Sequence, residues 1–301
     1  MIYLQLIYFL LIQIIIITSG ETEENVRAII QGQNDTKLNT TGLLQARLLA
    51  ARFSIKKFDL IYSSDLSRAY DTCKELILGS PVDSLNVPVQ TDHTKLTCSL
   101  DSIKTDTRLR ERFFGSIQGQ SLSYLQKLAK EAGKTVVDYT PNGGESLEDV
   151  RNRVLDFFNN RLIIEVEAMK SFKLSSSSAC SNQQPINVLL VSHGGVIREL
   201  ITLFHSFGHH SFRARSDRVR FVPPNTSVNE FLVHYYTNDN SNNTNSNQNN
   251  KNNSEQAIEK AKFQIQTVEL IKLHDINHLD ETLQEQARNQ KQVNNSECPS
   301  I

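Results

Sequence analysis

Short, unbroken apolar runs alternate along this chain with longer stretches in which apolar residues return every three or four positions. The sharpest short run is Val188-Leu-Leu-Val191, followed by Ser192-His193-Gly194-Gly195 and then Val196-Ile-Arg-Glu-Leu200. An apolar run of this kind reads as a strand buried on both faces, the glycines as a tight turn, and the remainder as a helix. The unit leaves His193 at a strand's carboxyl end. Open α/β sheets bind ligands there, and a helix amino terminus offers free N–H groups to an anion. Near the start, Ile14–Ile17, Thr18-Ser19-Gly20 and Glu21-Thr-Glu-Glu-Asn25 repeat the same grammar. Phe58–Tyr62 reads as a third strand, ending on Ser63-Ser64-Asp65. A helix over about Ser67–Leu78 follows, with Arg68 in its first turn, where a cation opposes the helix dipole and needs a reason to be present.

Helices are also predicted over Asn39–Phe53, opening with a Thr cap, over Ser121–Ala132, and over Ser146 to about Met169. The last two belong to a small helical cap subdomain above the sheet's ligand edge. A further helix ends near Phe207. Val228–Tyr236 and Phe263–Leu273 alternate as partly buried strands and predict an antiparallel pair. The stretch Gly79–Thr107 reads only as an irregular connection. Two low-complexity inserts interrupt the pattern: a Ser-rich loop over residues 171–187, and residues 237–254, where ten of eighteen residues are Asn. The tail over 282–301 is polar.

These elements define a single α/β domain over residues 14–281, with a mostly parallel central sheet and helices on both faces. At 301 residues the chain buries a substantial core, and its 39% hydrophobic content is that of a globular protein. A formal charge of −1 argues against a nucleic-acid partner. Arg213, Arg215, Arg218 and Arg220 form a local basic stretch, read as a solvated face or an attractor of phosphorylated substrate. Cys73, Cys98, Cys180 and Cys298 have no paired spacing, which reads as reduced, structural thiols of a cytoplasmic protein.

Between the two strand-turn-helix units stand Tyr62-Ser-Ser-Asp-Leu-Ser-Arg-Ala69, Leu109-Arg-Glu-Arg-Phe-Phe-Gly115 and Asn142-Gly-Gly-Glu-Ser-Leu147. In this order the set resembles the histidine phosphatase, or phosphoglycerate-mutase-like, superfamily. Ile29-Ile-Gln-Gly-Gln33 and Arg108-Leu-Arg-Glu-Arg112 are most similar to its TIGAR branch of fructose-2,6-bisphosphatases, which regulate glycolysis. The resemblance implies phosphoryl transfer to a His nitrogen followed by hydrolysis of the phosphohistidine. It requires a small phosphorylated sugar as substrate and neither metal nor organic cofactor. Carried onto this chain, it makes His193 the second pocket His, Arg68 the pocket Arg, Asn25 a phosphoryl ligand and Glu111 the general acid/base. Arg110 and Arg112 flank that acid and are compatible with an anionic substrate nearby. Gln31 and Gly32 fall where the family contacts substrate. Phosphoglycerate mutase is an alternative activity within the same superfamily.

One departure bears on everything else. The family reads Arg-His-Gly-Glu-Thr where this chain reads Thr18-Ser19-Gly20-Glu21-Thr22. The attacking His is replaced by Ser19 and its neighbouring cation by Thr18. A hydroxyl lacks comparable nucleophilicity without an activating base, and its phosphoester is harder to hydrolyse. A catalytically dead phosphatase that binds phosphorylated ligands is therefore the alternative function.

Residues 1–19 form an apolar segment broken by Gln5 and Gln13. It lacks a Lys or Arg ahead of the apolar run, as a signal peptide would have, and cleavage after Ser19 or Gly20 would remove a strand of the sheet. A membrane anchor would need Ile14–Ile17 to leave the sheet, so a cytoplasmic location is expected; the alternative, should residues 1–17 be genuine, is an N-terminal signal or anchor on a membrane-anchored or secreted acid phosphatase of the same superfamily. The segment is instead expected to be translated intron, because its Ile, Leu, Phe and Tyr are what AT-rich DNA encodes; Ser19-Gly20 is encodable as TCA-GGN, which contains a splice-acceptor AG, and an upstream exon ending in Arg-His codons plus one G would restore the family motif in frame. Sequencing of 5′ cDNA should yield transcripts encoding Arg-His before Gly20. Transcripts that all read through Met1–Gly20 as written would refute the intron.

Overall fold

The computed structural model describes residues 8–53, 56–79, 99–176, 184–207, 219–237, 265–279, 281 and 283–284. Six strands form one sheet: β1 (Tyr8–Thr18), β2 (Leu60–Ser63), β3 (Ile103–Thr105), β4 (Ile186–Ser192), β5 (Val228–Thr237) and β6 (Ile265–Asp275). Their order is β3-β2-β4-β1-β5-β6. The pairs β2·β3, β2·β4 and β1·β4 are parallel, while β1·β5 and β5·β6 are antiparallel. The mostly parallel sheet expected from the pattern is present, with the anticipated antiparallel pair along one edge.

Several boundaries differ from the sequence reading. The first strand starts at Tyr8 rather than Ile14, because β5 is long enough to pair with it back to Thr237. The stretch read as a connection contains β3, whose three residues carry too little periodicity to announce a strand. Asn39, not a Thr, caps its helix: its side chain accepts from the Gly42 N–H at 2.8 Å. The long helix from Ser146 is divided by a π turn at Phe158–Leu162, and it does not join the cap as expected, because Val150, Val154, Phe157 and Val166 bury against the main sheet. Residues Ser171–Ser176 continue its second half, and Ile186 and Asn187 begin β4, so the Ser-rich insert is shorter than its composition suggested. Arg220 is exposed, whereas Arg213, Arg215 and Arg218 lie outside the described residues, as do 177–183, 238–254 and nearly all of the tail.

The helices are α1 (Glu23–Val26), α2 (Thr40–Arg52), α3 (Ser67–Leu78), α4 (Leu122–Glu131), α5 (Leu147–Phe157), α6 (Ile163–Ser176) and α7 (Gly194–Phe207). Alternation along β1 divides the core into two layers, because successive side chains of a strand point to opposite faces. Ile12, Ile14 and Ile16 pack with Phe157, Phe158, Leu200 and Phe204 from α5 to α7. Ile15 and Ile17 pack with Leu49 of α2 and with Ala69 and Cys73 of α3. Cys73 is a fully buried free thiol whose pKa is pushed up by burial. A smaller cluster of Ile30, Ile117 and Leu125, with Phe114, Leu122 and Val136 against it, forms the core of the cap. Hydrogen bonds from Ile30 N–H to Gln120 and from Gly119 N–H to Ile30 stitch the cap to the loop after α1. Among the described residues, no helix is long and apolar enough to cross a membrane.

The central strand carries the stability of both layers. Ile16 is fully buried, so Ile16→Ala should lower the unfolding free energy by about 2–5 kcal/mol in urea titration. Ile164 is 55% exposed, and its replacement by Ala should stay within ~0.5 kcal/mol.

Candidate active site

The carboxyl ends of β1 and β4 adjoin. Thr18 pairs with Ser192 in the parallel register, and the Ser19 N–H donates to the Ser192 carbonyl at 2.9 Å, continuing the ladder by one residue. Ser19 and His193 therefore lie next to each other at one edge of the sheet, although 174 positions separate them in sequence. Both border a cavity of about 790 Å³ that Arg68, Glu111, Asn25, Gln31 and Gly32 also line. The structure brings these residues together, while Arg110, which the resemblance also set beside the substrate, does not line the cavity.

His193 stands at the amino end of α7, 1% exposed, and neither ring nitrogen has a hydrogen-bond partner among the described residues. Its pKa is held well below the ordinary histidine value, first by burial and then by the positive charges of Arg68 and Arg153. The ring is therefore neutral at physiological pH. Two unpartnered nitrogens in a polar cavity are a standing cost, which a ligand offering a donor or an anionic oxygen would relieve.

Ser19 is buried, and its hydroxyl has no hydrogen-bond partner among the described residues. Its carbonyl accepts from Asn225 Nδ2 at 2.9 Å and from the Thr226 N–H at 3.3 Å, which fixes the backbone. Thr18 turns its hydroxyl to Ser227 Oγ at 3.1 Å. The turn after them is narrow: a Cβ on Gly20 would sit 2.7 Å from the Gly42 carbonyl, so only glycine admits α2 this close.

Arg68, 3% exposed, donates from Nη2 to the Gly32 carbonyl at 2.8 Å and from Nη1 to the Asn34 carbonyl at 2.9 Å. Nη1 also reaches Thr36 Oγ1 at 3.3 Å, which leaves the Nε proton and one Nη2 proton without a partner among the described residues. Burial pulls its pKa down, while Glu111, Asp35 and Glu24 oppose that shift. Gln31 is tied to the same loop by Thr36 Oγ1, which donates to Gln31 Oε1 at 2.5 Å. Asn25 closes a capping box on Thr22: its Oδ1 accepts from the Thr22 N–H at 3.0 Å. That donor fixes the amide orientation, so Asn25 Nδ2 is the end left for a ligand.

Glu111 comes from the segment after β3 and reaches across to α7. Oε2 accepts from the Gly195 N–H at 3.1 Å and Oε1 from the Arg112 N–H at 2.7 Å. A Cβ on Gly195 would lie 2.5 Å from Glu111 Oε1, so the second glycine of the turn makes room for this carboxylate. The Glu111 backbone is held by Arg153 Nη2 and Gln33 Nε2, each donating to its carbonyl at 3.1 Å. Arg153 is in turn clamped by both oxygens of Glu145, from the Asn142-Gly-Gly motif.

The two arginines beside Glu111 are engaged elsewhere. Arg110 forms a bidentate pair with Asp65, at 2.8 and 2.6 Å. Arg112 is buried and gives Nε, Nη1 and Nη2 to the carbonyls of Glu145, Val137 and Tyr139; its pKa is lowered to about 10, chiefly by burial. Arg112 acts as a strut for the cap, and Arg110 ties the segment before Glu111 to the loop after β2. Sequence reasoning missed Arg198, Glu21 and Asn225, all of which line the cavity. An arginine within the apolar run of α7 was the available signal for Arg198.

The fold and this cavity define a phosphatase of the phosphoglycerate-mutase-like class, and direct comparison supports that assignment. The histidine phosphatase superfamily (branch 1) matches residues 14–94 and 90–242. The fructose-2,6-bisphosphatase TIGAR of Bos taurus is 30% identical over 250 residues, covering 73% of this chain and 87% of the relative. That of Xenopus tropicalis is 31% identical over 248 residues, covering 72% and 85%. Among solved structures, a mycobacterial glucosyl-3-phosphoglycerate phosphatase in complex with VO3 is 26% identical, with a TM-score of 0.51 and coverage of 75% of this chain and 96% of that one. The chain belongs to the histidine phosphatase superfamily.

A buried neutral histidine has a consequence for stability. The folded pKa of His193 is depressed, so the unfolded chain binds the extra proton, and stability falls as pH drops below about 6.5. His278, lowered to about 4 by burial, adds to the same slope. Urea unfolding at pH 7.5 and 5.5 should differ, and His193→Gln should remove ~1 kcal/mol of that difference.

Proposed function

We propose that the cavity binds a sugar bisphosphate of the fructose-2,6-bisphosphate kind and is built for hydrolysis of its phosphomonoester, with turnover of the chain as written held near background by Ser19. The observation that carries this reading is the neutral His193, whose two unpartnered ring nitrogens stand beside Ser19 in a cavity with Arg68 and Glu111. The two TIGAR relatives, fructose-2,6-bisphosphatases by name, support the substrate class.

In this reading the phosphoryl group sits at the carboxyl edge of β1 and β4. Arg68 offers its two unpartnered donors to the equatorial oxygens, and Asn25 Nδ2 and His193 supply two more contacts. A nucleophile at position 19 forms the bond to phosphorus as the ester P–O bond breaks. The leaving alkoxide takes a proton from the Glu111 carboxyl group, and the resulting carboxylate then activates the water that releases inorganic phosphate. A histidine at position 19 completes both steps. Ser19 is a weaker nucleophile there, and its phosphoester would resist the second step. With Thr18 in place of the cation as well, the losses amount to several orders of magnitude, since one oxyanion donor alone is worth ~10²–10³. The same side chain favours the second reading, a binding module without turnover. We also read the protein as cytoplasmic, a reading supported by the buried free thiol of Cys73.

Replacing Thr18→Arg and Ser19→His together should create fructose-2,6-bisphosphate hydrolysis where the unaltered chain shows almost none. Adding Glu111→Gln should then depress kcat by ~10²–10⁴. Hydrolysis by the unaltered chain at ordinary enzyme rates would overturn this account of position 19. A double variant that binds the sugar bisphosphate without turning it over would leave the binding-module reading.

A further inference from the structure

One amide answers two carbonyls at the end of β1. The Thr226 N–H donates to the Thr18 carbonyl at 3.1 Å and to the Ser19 carbonyl at 3.3 Å. Thr226 does this with a φ of +53°, a left-handed conformation that a β-branched residue rarely holds. Such strain persists only where the surroundings over-determine it, and it gathers at functional sites. Thr226 is also fully buried, so no solvent shares its hydroxyl.

The partner of that hydroxyl comes from the far end of the chain. His278 Nε2 lies 3.0 Å from Thr226 Oγ1, the one hydrogen bond of this hydroxyl among the described residues. The other ring nitrogen, Nδ1, is buried without a hydrogen-bond partner among the described residues, so the polar contact of the imidazole goes to Thr226. Burial and then the Arg52 charge keep the ring neutral, against the weaker pull of Asp275. Other contacts seat the segment around it. Arg52 Nη2 pairs with Asp275 Oδ2 at 2.5 Å, the His274 N–H donates to Asn229 Oδ1 at 2.9 Å, and Leu279 and Leu283 pack on Leu44 and Leu48 of α2. Those contacts do not involve the imidazole, which is turned to the strained residue behind Ser19.

We infer that His278 is a positioning residue for position 19, holding Thr226 in the left-handed turn whose amide fixes the Thr18 and Ser19 carbonyls. His278 itself does not border the cavity. The inference rests on the reading of Ser19 as the position that faces phosphorus, and it adds what holds that position in place.

Orthovanadate and orthophosphate, titrated calorimetrically, separate positioning from mere folding. Vanadium accepts a fifth oxygen ligand and mimics the attacked phosphorus, so vanadate gains from a well-placed Ser19 Oγ and phosphate does not. The unaltered chain should bind vanadate about tenfold or more tighter than phosphate. His278→Ala should cancel most of that preference while holding phosphate affinity within about threefold. If circular dichroism shows the Ala variant unfolded, Thr226→Val carries the test, since it removes the same bond from the other side and should lose the same preference. Glycine holds a positive φ without strain, so in a Thr226→Gly background His278→Ala should leave the vanadate preference unchanged. A merely structural histidine would cost both anions equally in either background. That result, or a vanadate preference retained in the folded single variant, would overturn the proposal. Equal binding of the two anions by the unaltered chain would remove Ser19 from the chemistry and the proposal with it, and binding of neither would remove the pocket as well.

Discussion

The parallel pairing of β1 with β4 is the constraint on which this site depends. Seven residue pairs, from Ile12–Ile186 to Thr18–Ser192, set a single register, and the ladder ends where both strands pass into polar turns. A slip of one residue would move every isoleucine of β1 to the opposite layer, so burial on both faces fixes the register firmly. Ser19 and His193 face one another across that edge because the two core layers permit no other alignment. Function here is a by-product of where two hydrophobic strands must stop.

Close approach then decides which groups reach the edge. Gly195 admits the Glu111 carboxylate to α7, and Gly20 lets the turn after β1 lie against α2. A methyl group at either place would displace protein atoms. The glycines are thus spatial requirements of the site, and neither is held in a left-handed conformation.

Arginines that are buried or half-buried divide the remaining work. Arg112 and Arg153 spend their donors on backbone carbonyls and on Glu145, holding the cap and the Glu111 segment in place. Arg68 does both jobs: it binds the 32–36 loop and keeps part of its fork for the cavity. Arg198 is the least committed to protein partners. A buried guanidinium that keeps open donors is costly unless an anion arrives, so the arrangement stores its complementarity for the ligand.

The chain's local patterns determined much of this. Unbroken apolar runs placed β1, β2 and β4, three-to-four periodicity placed α2, α3 and α4, and strand-turn-helix grammar put His193 and Ser19 at strand ends, because these signals arise from neighbours within a few residues. The family likeness added Arg68, Glu111, Asn25, Gln31 and Gly32, and the structure brings all of them to one cavity. Tertiary structure alone decided the rest. The six extra residues of β1 are drawn into the sheet by β5, a partner about two hundred positions away. β3 is a strand only because β2 pairs with it. Three arginines in Arg108-Leu-Arg-Glu-Arg112 and its surroundings look alike as letters, yet Asp65 takes one and distant carbonyls take another. Which cation faces the ligand is set by which others already have partners, and that is settled only when the chain has folded.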